Sequence, residues 1–111
     1  MFEKDLNIAF LLDFYGDVLS ERKRLVLDYY YNEDLSLAEI GNEIGISPQG
    51  ARALIKKAEE ELHFYEEKLG LAERFRQAQE SADRLLDLME KGDGVSEEIY
   101  QAARELASTV R

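Results

Sequence analysis

The sequence has 111 residues, 45% of them hydrophobic and 34% charged, no cysteine, and a formal net charge of −10. A chain of this length makes one compact domain, or a small domain with an extension, and its core is modest enough that self-association is a natural supplement. Without cysteine there is no disulfide framework and no thiolate metal site, which fits a reducing compartment.

The opening Met1-Phe2-Glu3-Lys4-Asp5 lacks the basic start of a signal peptide, and no apolar run approaches the roughly 18 residues that cross a bilayer. The expectation is a soluble, cytoplasmic protein. Its negative charge is uneven: residues 1–58 hold 10 acids and 7 bases, residues 59–111 hold 14 acids and 7 bases. An acidic chain is repelled by phosphate polyanions unless its bases are gathered in one place.

With a single proline, Pro48, and helix formers throughout, the pattern predicts an all-α fold of about six helices. Ile8, Leu11, Leu12, Tyr15 and Leu19 recur at helical spacing and mark the first helix. Phe2, Leu6, Phe10 and Phe14 fall on its opposite face, so this helix needs two apolar partners. One is the core, and the other is either the C-terminal region or a second subunit, with a dimer interface through Phe2, Leu6, Phe10 and Phe14 the expectation. Ser20 caps a second helix with Leu25, Val26, Tyr29 and Tyr30 inward, which Asn32-Glu33-Asp34 ends. Ser36-Leu37-Ala38-Glu39 is a capping box for a third helix running through Ile44. Gly45 suits the left-handed residue that closes it.

Ser47-Pro48 then opens a fourth helix with the stripe Ala51, Leu54, Ile55, Ala58, Leu62, Tyr65 and Leu69. Gly70 ends or bends it. Leu71, Phe75, Ala78, Ala82, Leu85, Leu86 and Met89 predict a fifth helix. After the turn Gly92-Asp93-Gly94, Ser96 caps a sixth with Ile99, Ala102, Ala103, Leu106 and Val110. The expected organisation is a core of residues 1–69 and a helical extension of residues 70–111 for dimerisation or partner binding.

Residues 37–57 carry the spacing of a helix-turn-helix. Ile40, Ile44, Ile46, Ala51 and Leu54 are apolar where two short helices pack steeply, Gly41 is small where they cross, and Gly45 sits in the turn. In a DNA-binding version the first turns of the second helix read bases. The candidate nucleic-acid contacts there are Ser47, Gln49, Arg52, Lys56 and Lys57. Glutamine can read adenine, arginine guanine, and lysine phosphate or guanine. Residues 47–58 hold three bases and no acid, and Glu59-Glu60-Glu61 follow at once. A second basic cluster, Arg22-Lys23-Arg24, is a candidate flanking contact to the phosphate backbone.

Other chemistry is thin. His63 lies among Glu59, Glu60, Glu66 and Glu67, which reads as solvated charge rather than a metal site. No nucleophile–histidine–acid set and no phosphate loop is present, so neither catalysis nor a cofactor is expected.

From Tyr29 to Ile40, again at Gly45-Ile46-Ser47-Pro48-Gln49 and at Tyr65-Glu66-Glu67-Lys68-Leu69, the chain resembles the YlxM family of small bacterial proteins. The resemblance covers residues 5–70 and, more loosely, the acidic tail. It departs from the family's usual Ser-Arg-Gln at the start of the recognition helix, where Ser47-Pro48-Gln49 has one base fewer. The resemblance implies a helix-turn-helix similar to that of sigma-factor region 4, a homodimer, and an accessory role beside the signal recognition particle GTPase and its RNA. The overall charge favours that pathway role, with a sequence-specific DNA-binding regulator as the alternative.

Overall fold

A computed structural model describes residues 4–92 and 96–109. Among these residues six α-helices follow in order: α1 (Leu6–Tyr15), α2 (Glu21–Leu27), α3 (Leu37–Ile44), α4 (Pro48–Leu69), α5 (Leu71–Lys91) and α6 (Glu97–Thr109). No strand occurs among the described residues. The chain divides into two compact units, Met1–Gly70 and Leu71–Arg111.

In the first unit α4 is the spine on which α1, α2 and α3 pack. Its Ala51, Ile55, Ala58 and Leu62 are fully buried, meeting Ile8 and Leu11 of α1, Val26 and Leu27 of α2 and Ile40 of α3 in one core. Leu54 and Tyr65 are half-buried and Leu69 is exposed, so the expected stripe weakens toward its C-terminal end. Gly70 adopts the left-handed conformation (φ 64°) and its amide caps Glu66, which ends α4 rather than bending it.

The first helix stops earlier than its periodicity predicts. A 3-10 turn over Gly16–Val18 follows Tyr15, and through it Leu19 still reaches the core. Ser20 Oγ accepts the Lys23 amide as the α2 cap. Contrary to expectation, Leu25 is exposed and Leu27 takes the inward place beside Val26. Leu25-Val26-Leu27 is an apolar triplet turning about 100° per residue, so only two of the three can face the core, and periodicity does not say which. A π-helical turn over Asp28–Asn32 then buries Tyr30 and leaves Tyr29 and Tyr31 half-buried.

In the second unit α5 and α6 pack against each other. On α5 the inward line is Phe75, Gln79, Ala82, Leu86 and Met89, while Leu71, Ala78 and Leu85 of the expected stripe are exposed. On α6 Ala103 and Ala107 are buried and Tyr100 half-buried, whereas Ile99, Ala102 and Leu106 face outward. Both lines obey the helical period. Ser96 accepts the Ile99 amide, as its capping role requires. Asp93, Gly94 and Val110 lie outside the described residues.

Candidate nucleic-acid interface

The turn between α3 and α4 is built by local chemistry. Ser36 Oγ accepts the Glu39 amide at 3.1 Å while Glu39 Oε1 accepts the Ser36 amide at 3.0 Å, closing the capping box. At the other end of α3 the amides of Gly45 and Ile46 both donate to the Gly41 carbonyl, at 2.8 and 2.9 Å. That requires the left-handed Gly45 (φ 78°). Ser47 Oγ accepts the Gly50 amide at 3.0 Å, and Pro48 occupies the first turn of α4, where a missing amide costs nothing. A Cβ on the half-buried Gly50 would lie 3.2 Å from that capping hydroxyl, a tight contact.

With Ala51, Ile55 and Ala58 facing the core, the first three turns of α4 present Gln49, Arg52, Ala53, Lys56 and Lys57 to solvent, with Ser47 exposed at their head. Gln49, Arg52, Ala53 and Lys56 share one face at i, i+3, i+4 and i+7 spacing. Lys56 and Lys57 form no ion pair among the described residues.

The glutamates that follow are held in the fold. Glu59 accepts a hydrogen bond from the Tyr31 hydroxyl, which also accepts the Asp5 amide at 3.2 Å. Burial and the Glu59 hydrogen bond raise the Tyr31 hydroxyl above the ordinary tyrosine range. Glu61 pairs with Lys23 Nζ at 2.6 Å and accepts the Tyr65 hydroxyl at 3.1 Å. The Lys23 hydrogen bond holds the Glu61 carboxyl below the usual range. Only Glu60 of the three is exposed rather than half-buried.

The Arg22-Lys23-Arg24 cluster is thereby divided. Lys23 is committed to Glu61, and Arg24 Nη1 lies 3.4 Å from Asp17. Arg22 is exposed and without an ion pair among the described residues. His63 Nε2 lies 3.5 Å from Asp5, and no group of three or more His, Cys, Asp or Glu side chains able to hold a metal comes together among the described residues. Among the dimer candidates Phe10 and Phe14 are half-buried and meet edge to face at 5.2 Å. Phe2 and the side chain of Leu6 lie outside the described residues.

Sequence reasoning missed the tethering of the acidic run by Tyr31 and Lys23. Its only trace was a cation in α2 and acids in α4, and nothing in their separation pairs them.

A short helix joined through a left-handed glycine to a longer one with its first turns bared defines a helix-turn-helix protein. Comparison with known proteins agrees: residues 2–102 match the family described as "Putative helix-turn-helix protein, YlxM / p13 like". The chain belongs to that family. It is similar to the UPF0122 proteins of Bacillus cereus (strain Q1) and Bacillus anthracis (strain A0248), each 38% identical over 101 residues that span 91% of this chain and 92% of the relative. The family's description names no reaction. No helix among the described residues is long and apolar enough to cross a membrane.

Proposed function

We propose that the protein is a nucleic-acid-binding regulator that offers the first turns of α4 to a duplex. The observation that carries this is the bared face of α4: Gln49, Arg52, Lys56 and Lys57 are exposed together on a segment without acids, and Glu59 and Glu61 are drawn back by Tyr31 and Lys23. In this reading Gln49 and Arg52 meet base edges, as in sigma region 4-like recognition, while Ser47, Lys56 and Lys57 meet phosphate or guanine. Arg22 is the flanking backbone contact, with Lys23 and Arg24 adding to the local potential. The protein works as a homodimer through the Phe10–Phe14 face of α1, with Phe2 and Leu6 extending it, which sets two recognition helices side by side for paired half-sites.

The test is binding to duplex DNA and to hairpin RNA over a salt series. Arg52→Ala with Lys56→Ala weakens binding and lowers the log–log salt slope by roughly 1–2 units. Equal affinity of wild type and double variant for every nucleic acid removes the reading.

A second reading is an accessory role in the signal recognition particle pathway, in contact with its GTPase and RNA. The excess of acid, net −10 overall, favours a basic protein partner over tight binding to DNA alone. Capture of that GTPase by the wild-type chain, kept in the Arg52→Ala, Lys56→Ala variant, supports it. No capture at low salt rejects it.

A further inference from the structure

The end of α1 and the outer side of α2 enclose a groove of about 440 Å3. Ligand-sized clefts run from about 300 to 1,000 Å3. Its apolar lining comes from Leu12 and from Leu25, which is 36% exposed, and the side chain of Arg24 lies beside them next to Gly16. Around that lining stand four carboxylates, Asp13, Asp17, Glu21 and Asp28. Only Asp17 has a cationic partner, Arg24; Asp28 accepts a neutral amide hydrogen from Asn32 at 2.7 Å. Asp13, Glu21 and Asp28 have no cation among the described residues.

The geometry points to a docking site for a basic amphipathic helix of a partner protein, with an apolar side chain on Leu25 and lysine or arginine side chains on Asp13, Glu21 and Asp28. Three features select this occupant. The wall from Glu21 to Asn32 runs about 16 Å at a helical rise, the length of three turns of a docked helix. Uncompensated negative charge repels nucleic acid and attracts a cationic segment. Leu25 gives a small cation nothing to bind, but it is the anchor point a helix needs in a groove. The carboxylates are spread along two walls, and no metal-holding group of acids forms among the described residues. The π-helical turn contributes directly, because Asp28 and Asn32 on the groove wall are its two ends. None of its three unpaired carboxylates lies on α4, so the site shares only Arg24 with the nucleic-acid reading.

The probe is a leucine–lysine amphipathic peptide about 14 residues long, enough for four turns, titrated into the full chain. Calorimetry measures affinity, and amide chemical shifts locate the site. Asp13→Asn with Glu21→Gln and Asp28→Asn weakens binding at least about tenfold. A charge-matched control, Glu43→Gln with Glu60→Gln and Glu98→Gln, all exposed and outside the groove, changes it less than about threefold. Leu25→Asp decides between groove and bulk charge: it adds a negative charge, so simple attraction predicts tighter binding and an apolar anchor predicts weaker binding. Weaker binding, with shifts at residues 12–32, supports the proposal. Equal loss in the charge-matched control, tighter binding by Leu25→Asp, or spermidine binding as tightly as the peptide overturns it.

Discussion

A Cβ on Gly41 would stand 2.4 Å from the carbonyl oxygen of Ile46, closer than two such atoms can come. The approach is forced because Gly41 itself accepts the amides of Gly45 and Ile46, folding the turn back onto α3. The clash is with backbone, which cannot swing aside as a side-chain tip would. Gly41→Ala is therefore expected to cost about 2–3 kcal/mol and to lower the thermal midpoint by about 10–20 °C. A melting curve unchanged from wild type would show that the Ile46 carbonyl does not lie against Gly41.

Gly45 is the opposite case. Nothing lies within 4 Å of a Cβ built on it, but its φ of 78° is a left-handed conformation. Gly45→Ala has room and still costs about 1–2 kcal/mol in backbone strain, while Gly45→Asn costs less because asparagine visits this region more readily. Urea unfolding of the two variants checks the order. Asparagine no better tolerated than alanine would remove backbone conformation as the reason for glycine here.

These two glycines mark what was legible in the sequence. Caps and turns depend on a few adjacent residues, so Ser20, Ser36, Gly45 and Ser47 all take the roles their positions predict. The choice among equivalent helix faces depends on partners far along the chain. Leu25 and Leu27 are interchangeable by period, as are the Ile99–Leu106 and Ala103–Ala107 lines of α6, and only packing separates them. The same limit hid the groove, which exists because Leu25 faces out. It also hid the binding of Glu59 and Glu61 into the scaffold, since Tyr31 and Lys23 lie 28 and 38 residues away.

The Lys23–Glu61 pair ties α2 to α4, and each side chain is about a quarter exposed, at 26%. Its contribution follows the charge on Glu61. Because the folded-state pKa is lowered from 4.5, the stabilisation is complete above that value and is lost as pH falls through the folded pKa. Lys23→Met is expected to cost about 1 kcal/mol at neutral pH, and the gap from wild type should close once the solution is acid enough to protonate Glu61. Urea titrations at a series of pH values test this. A gap that persists unchanged at the acid end would mean the lysine stabilises the fold by something other than its pairing with the Glu61 carboxylate.

The last prediction concerns assembly. Phe10 and Phe14 lie on the face of α1 opposite Ile8 and Leu11, half-buried and stacked edge to face. The second unit separately carries exposed Leu88 (62%), Ile99 (59%) and Leu106 (51%). Burying one such side chain is worth about 1.5–3 kcal/mol, so a homodimer that covers either surface gains what a monomer leaves in water. Sedimentation equilibrium of the full chain is expected to give twice the 12.8 kDa of one protomer. Phe10→Glu places a charge in the α1 face without touching the fully buried core, so it should yield monomers whose helical circular dichroism is unchanged. Leu88→Glu with Ile99→Glu, in a separate variant, should leave the dimer intact if α1 forms the interface. The reverse pattern would move the interface to α5 and α6. A wild-type chain that sediments as a monomer at micromolar concentration would reject the dimer, and with it the side-by-side placement of two recognition helices.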